Sequence, residues 1–182
     1  HFHLDLEELL SGYKVLVASG TKFENIGAMI AEFKKGLNFA EGERWIQRYF
    51  LSHPEEFKGR VITFESQAYV GSNVRRVDVV TTGENNNSIY YEFKSITHIP
   101  PKNFARQFLK DLEVAENLEQ IKWYFDGKKI SNLDKELFLE ELEKVEIKRE
   151  LIEKWINDSR RQSKDYFINF VSTNFELIFK IR

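Results

Sequence analysis

The sequence predicts an α/β protein whose core runs helix, three strands, helix, strand, followed by a helical appendage and a closing hairpin. Three observations predict it. The stretch "VDVVTTGENNNSIYYEFKS", Val77 to Ser95, places β-branched and aromatic residues on both sides of a Gly- and Asn-rich turn. Apolar stripes of helical spacing lie before and after the strand-like runs. Beyond Gly127 the composition shifts to Glu, Lys and Leu.

Taken in order, Leu4 to Leu10 reads as a short helix, "YKVLVASG" as a brief strand, and "FENIGAMIAEFKKG" as an amphipathic helix closed by Gly36. "NFAEGERWIQRYFLSHPEEF" is the next helix, with Trp45, Ile46, Tyr49 and Phe50 as its apolar stripe. "GRVITFESQAYV", "NVRRVDVVTT" and "SIYYEFKSI" are three strands. Pro100 and Pro101 mark a stop, "KNFARQFLKDLEVAENLEQ" is a helix, and "IKWYFDG" is a fourth strand. Asn132 is a candidate cap for helical spacing through Leu133, Leu137, Leu142, Ile147, Leu151 and Trp155. In the tail, Phe175, Leu177, Phe179 and Ile181 alternate, which predicts a hairpin turning near Ser172 to Asn174. The expected divisions are an N-terminal helical extension at 1–38, the core at 39–127, and C-terminal helices with a hairpin packed on the core at 128–182.

A length of 182 residues suits one well-buried core with decorations, and 42% hydrophobic residues exclude a disordered chain. The formal net charge of −2 excludes a globally basic nucleic-acid binder, so such a partner must be met by a local patch. The chain has no Cys, hence neither disulfides nor thiolate metal sites. No apolar run reaches the roughly 18 residues of a membrane span. The first residue is not Met, and the chain's single Met is Met29, which points to a piece of something longer.

On the strand "SIYYEFK", side chains alternate, so Tyr90, Glu92 and Lys94 share one face and an antiparallel neighbour brings Asp78 beside them. Two carboxylates and the backbone carbonyl of Phe93 are a sufficient protein share for Mg²⁺, which keeps several waters; Mn²⁺ and Zn²⁺ are the alternatives. Such an ion lowers the pKa of bound water and neutralises phosphate charge, while Lys94 orients the attacking water or stabilises the pentacovalent state. Acid-x-Lys alone decides nothing, since Glu32-Phe33-Lys34, Glu56-Phe57-Lys58 and Glu146-Ile147-Lys148 repeat it in helix-like or turn-like segments, as ordinary solvated charges. The plain alternative for Glu92 and Lys94 is an exposed ion pair worth about 0 to 1 kcal/mol.

"VDVV…YYEFKS", within helix, three strands, helix, strand, resembles the PD-(D/E)XK nuclease superfamily over about Phe39 to Gly127, with Val77 where the motif's Pro would stand. The resemblance implies a restriction-endonuclease-like core with a mixed central sheet flanked by helices. It also implies a metal-holding Glu on the helix before the first strand, for which Glu43 is the first choice and Glu41 the second; a first-turn Glu favoured by the helix dipole is the bland reading. Gln107 is its match for the residue near the scissile phosphate. Arg75, Arg76, Arg106 and Lys110 are candidate nucleic-acid contacts.

"NFARQFLKDLEVAENLEQIKWYFDGKKI" is similar to the C-terminal toxin domains of contact-dependent inhibition and other polymorphic toxin systems. That likeness implies delivery from a cell surface or by secretion as part of a larger protein, action in the cytoplasm of a target bacterium on tRNA or DNA, and neutralisation by a cognate immunity protein; the helical appendage from Lys128 to Lys164, suited to grip a shaped RNA, favours tRNA. The alternatives are a restriction or repair DNA endonuclease and a non-catalytic nucleic-acid-binding module. His1, His3, His53 and His98 are scattered, Ser19, Ser66 and Ser95 lack a nucleophile elbow, and Trp123 to Phe125 reads as core before it reads as a base-stacking platform. Arg160 to Lys164 is a small basic stretch whose default is a solvated face.

Overall fold

A computed structural model describes the chain apart from residues 1, 71–72 and 99–100; for 2–6, 8–10, 33, 37–39, 67–70, 73–76 and 101 only the backbone is described. The protein is α/β, with six strands in mixed pairings among the described residues and helices packed on them. It divides into two compact units, His1–Ala68 with Arg76–Ser95, and Tyr69–Arg75 with Ile96–Arg182.

The first unit contains α1 (Phe2–Ala18), β1 (Lys22–Glu24), α2 (Ile26–Phe33), α3 (Leu37–Ser52) and α4 (Pro54–Phe57). They precede β2 (Val61–Val70), β3 (Asn73–Thr82) and β4 (Ser88–Lys94). The strands lie in the order β1-β2-β3-β4. β1 runs parallel to β2 with Phe23 opposite Ile62, and β3 runs antiparallel to β4 with Val79 opposite Tyr91. The run "YKVLVASG" is the end of α1 and not a strand: Tyr13 and Leu16 are buried while Val15 and Val17 face solvent. Burial of one helical stripe there overrides the strand preference of its two valines. Residues 1–38 belong to the first unit, because α1 packs on α3 and β1 pairs with β2.

The predicted α3 stripe is present, with Ile46, Tyr49 and Phe50 buried. Phe50 sits at the centre of an aromatic core, its ring 4.6 Å from Phe57, 5.9 Å from Phe64 and 6.1 Å from Phe93. The β3–β4 turn is pinned by Arg60, whose Nη2 donates to the carbonyls of Thr81 (3.1 Å) and Asn87 (2.9 Å). A Cβ at Gly83 would come within 2.5 Å of Asn87 Oδ1 and 2.8 Å of Arg60 Nη1, so a larger residue there would push aside the side-chain ends that close the turn.

The second unit contains α5 (Pro101–Val114), β5 (Ile121–Phe125), α6 (Lys135–Lys144), α7 (Arg149–Trp155), α8 (Lys164–Thr173), α9 (Phe175–Ile178) and β6 (Phe179–Ile181). Trp123, Tyr124 and Phe125 are buried, as the core reading of that run expects. The α6 cap is Asp134, whose side chain accepts from Leu137 N at 3.0 Å, and not Asn132. The closing hairpin is absent. Its first half is α8, capped by Ser163, and its second half is α9 leading into β6, which lies parallel to β5 with Trp123 opposite Phe179. A parallel pair needs a long crossover, here supplied by α6 to α9. Phe167, Ile168 and Val171, then Phe175, Ile178 and Phe179, are the buried residues, a spacing of three and four that outweighs the apparent alternation.

Candidate functional site

Asp78 on β3 and Glu92 and Lys94 on β4 come together as their spacing implies. The register that sets Val79 opposite Tyr91, carried one place further, sets Asp78 opposite Glu92. Asp78 Oδ2 accepts the amide of Phe93 at 3.1 Å, and Lys94 Nζ lies 3.1 Å from Glu92 Oε2. The pair is no exposed ion pair, since the side chains of Lys94 and Glu92 retain only 15% and 3% exposure. Burying an ion pair costs desolvation that Coulomb attraction only partly offsets, so stability alone does not account for it. Asp78 is half-buried, and its carboxyl has a pKa pushed above the usual carboxylate range. Desolvation is the main cause, reinforced by the charges of Glu92 and Glu65 and opposed by Lys94 and the Phe93 amide.

Glu43 is buried in the second turn of α3, whereas Glu41 is exposed. The first turn of α3 carries no acidic residue, so the helix-dipole reading of Glu43 does not hold. Burial, and then the charges of Glu65 and Glu32, raise the Glu43 carboxyl to about 7 against the pull of a hydrogen bond from Gln47. Gln47 Nε2 donates to Glu43 Oε1 at 3.0 Å, and the hydroxyl of Tyr13 donates to Gln47 Oε1. A buried polar chain thus runs from α1 to the acid of α3.

Three members of this neighbourhood escaped sequence reasoning. Gln47 and Tyr13 are visible only as polar groups at helical spacing from buried residues, Gln47 one turn beyond Glu43 and three before Phe50. Glu65 stands on β2 with φ +50°, a left-handed conformation that costs a non-glycine residue about 1–3 kcal/mol. It acts electrostatically on both Glu43 and Asp78. No local sequence signal marks that backbone.

Among the described residues no group of three or more His, Cys, Asp or Glu side chains converges closely enough to hold a metal ion. Glu43 therefore does not close a three-carboxylate group with Asp78 and Glu92; the two share the field of Glu65. Asp78, Glu92 and the Phe93 carbonyl remain a hard-oxygen set suited to Mg²⁺, and the electrostatic cost of their crowding is the kind a divalent cation relieves.

Gln107, Arg106 and Lys110 lie on α5 in the second unit, Gln107 half-buried and the two cations exposed. The side chains of Arg75 and Arg76 lie outside the described residues, as do those of His1 and His3. The other acid-x-Lys copies are not all plain solvated charges. Glu32 is buried and paired with Lys35, and Glu56 accepts from the hydroxyls of Tyr49 (2.7 Å) and Tyr91 (2.8 Å). The Arg160 to Lys164 stretch is tied down, Arg160 and Arg161 to Asp158, and Lys164 to the Val145 carbonyl ending α6.

No protein-family model, no curated protein and no solved structure matches this chain. No helix among the described residues is long and apolar enough to cross a membrane.

Proposed function

We propose that this chain is a metal-dependent nuclease of restriction-endonuclease-like type, acting as the toxin domain of a larger delivered protein, with tRNA favoured over DNA and a cognate immunity protein as its inhibitor. The observation that carries the catalytic part is the largely buried grouping of Asp78, Glu92 and Lys94 on two paired strands, Asp78 held by the Phe93 amide and Lys94 paired with Glu92. Delivery and immunity partner rest on the resemblance of the α5–β5 stretch, and the preference for tRNA on the helical appendage that follows it.

In this reading Asp78, Glu92 and the Phe93 carbonyl hold Mg²⁺, which when bound supplies Lewis acidity toward a phosphodiester oxygen and acidifies a water. Lys94, paired with Glu92 at 3.1 Å, would orient the attacking water or stabilise charge on a non-bridging phosphate oxygen. Glu43, linked to Asp78 through the charge of Glu65, would act on this set electrostatically and not as a ligand. The backbone amide of Phe93 fixes the Asp78 carboxylate in one orientation.

The test is incubation of wild type and Asp78→Ala with total tRNA and with plasmid DNA, in Mg²⁺ and in EDTA. Cleavage that needs both the metal and Asp78 is expected, in tRNA first. Cleavage that persists in EDTA, or in the variant, overturns the mechanism; cleavage of plasmid alone moves the target to DNA.

A further inference from the structure

The second unit has an open groove of about 620 Å³ between α5 and the end of α6 with the segment leading into α7. Lys102, Arg106 and Lys110 project along one wall at successive intervals of four residues, so they form a row on one face of α5. Each step is about 6 Å along the helix axis and the whole row about 12 Å. Lys144 and Lys148 stand on the other wall. Lys144 is paired with Glu141 at 3.1 Å and Lys148 with Glu113 at 3.6 Å. Lys102, Arg106 and Lys110 have no ion-pair partner among the described residues, and the acid left facing them is Glu146. In a chain of net charge −2, three unpaired cations in line are a local concentration that the overall charge does not explain.

We infer that this groove holds the sugar-phosphate backbone of a nucleic acid, with Lys102, Arg106 and Lys110 each meeting a different phosphate. The inference rests on the nuclease reading for its substrate class, and it extends the contact beyond Arg106 and Lys110 to a continuous track. A 12 Å row exceeds a single phosphate but suits a chain of them. Lysines on flexible stems serve as point charges for phosphate, and the guanidinium of Arg106 adds a bidentate fork. An acidic protein is the weaker fit. Stable protein interfaces centre on aromatic or apolar anchors, and the apolar members of this lining, Leu109 and Val145, are themselves buried.

The α5 helix that carries the row is firmly held. Its opposite face buries Phe104, Ala105, Phe108 and Leu112, Asp111 accepts from Trp123 Nε1 at 2.8 Å, and Lys154 donates to the carbonyl of Glu113 at 2.8 Å. Removing three exposed cations therefore leaves the packing intact.

The experiment measures binding of labelled tRNA and of a short DNA duplex to the full chain carrying Asp78→Asn, with and without K102Q/R106Q/K110Q, across roughly 50 to 200 mM salt. Neutralising three phosphate contacts is expected to weaken binding at least tenfold at low salt and to flatten the slope of log K against log salt by about 2 to 3. Unchanged affinity and slope in the triple variant overturn the inference, as does the absence of salt-dependent binding to either nucleic acid. Cleavage by the chain with Asp78 intact is read separately. Metal-dependent cutting with unaltered binding in the triple variant sinks the groove and spares the nuclease. Steep binding lost in the triple variant, without any cutting, does the reverse.

Discussion

The backbone amide of Phe93 donates to Asp78 Oδ2 at 3.1 Å, so the residue between Glu92 and Lys94 orients the acid on the neighbouring strand. This bond joins the two halves of the candidate site through the sheet itself. It also favours ionised Asp78 against burial and the charges of Glu92 and Glu65. Asp78→Asn keeps an acceptor for the amide and removes the charge. Nuclease activity is expected to fall by about 10²-fold or more. The thermal midpoint is expected to stay level or rise, the more so at high pH, where Asp78 must ionise against burial and the charges of Glu92 and Glu65. Activity assays and melting curves on the same preparation check both halves; a lower midpoint would mean that the charged form of Asp78 stabilises the fold.

Glu43 predicts a pH dependence of stability in the metal-free protein. Its carboxyl is raised from 4.5 to about 7 on folding, so between those values the folded state holds a proton that the unfolded state has lost. Its contribution is fully present below about pH 4.5, declines as pH rises, and is gone above about pH 7, at most about 3 kcal/mol in all. Asp78, also raised, acts in the same direction. Chemical denaturation from pH 4.5 to 8 should show a decline that is shallower in Glu43→Gln, the difference between the two proteins isolating this residue. Parallel curves would mean that Glu43 ionises freely.

A divalent cation should reverse that trend. Metal binds the ionised carboxylates and competes with protons, so stabilisation by Mg²⁺ or Mn²⁺ is expected to grow from pH 5.5 to 8. At a hundredfold excess over its dissociation constant the ion would add about 2.7 kcal/mol. Melting with and without EDTA at several pH values measures it, and the shift should vanish in Asp78→Asn. A shift that survives in that variant would place the ion elsewhere.

Tyr13 and Gln47 tie α1 to α3 in the interior, where Gln47 has no exposed surface. Tyr13→Phe removes the hydroxyl, leaves the ring that stacks on Phe23 at 4.3 Å, and strips the Gln47 carbonyl of that donor. The expected loss is about 1–3 kcal/mol by denaturant titration. A loss below about 0.5 kcal/mol would show that water or another group replaces the bond.

How far the sequence carried depended on whether one periodicity ruled a segment. Val77 to Val79 and Tyr91 to Lys94 alternate apolar with charged residues about a turn, which made Asp78, Glu92 and Lys94 legible as neighbours on two strands. The tail does not: Phe175, Leu177, Phe179 and Ile181 fit a period of two, while Phe175, Ile178 and Phe179 fit three and four, and packing chose the latter. Glu43 was legible only through the family resemblance, as the acid of a Gly-Glu pair that leads into an apolar helical stripe. Glu65 was not, because its role follows from a positive φ within a strand, which no residue type announces.

Phe179, at the start of β6, is the hub of the second unit. Its ring centroid lies 4.5 Å from Phe175, 5.1 Å from Phe138, 5.2 Å from Phe108 and 5.4 Å from Trp123. Those rings come from α9, α6, α5 and β5, so one side chain joins four elements that the predicted hairpin would have left apart. Phe179→Ala is expected to cost about 3–5 kcal/mol, the lost burial plus the cavity left among rings too constrained to collapse. Phe179→Leu should recover more than half of that by filling most of the volume. If α5 depends on this hub, the alanine variant will also expose its amides to hydrogen exchange. Loss of stability with α5 still protected would assign Phe179 to the tail alone.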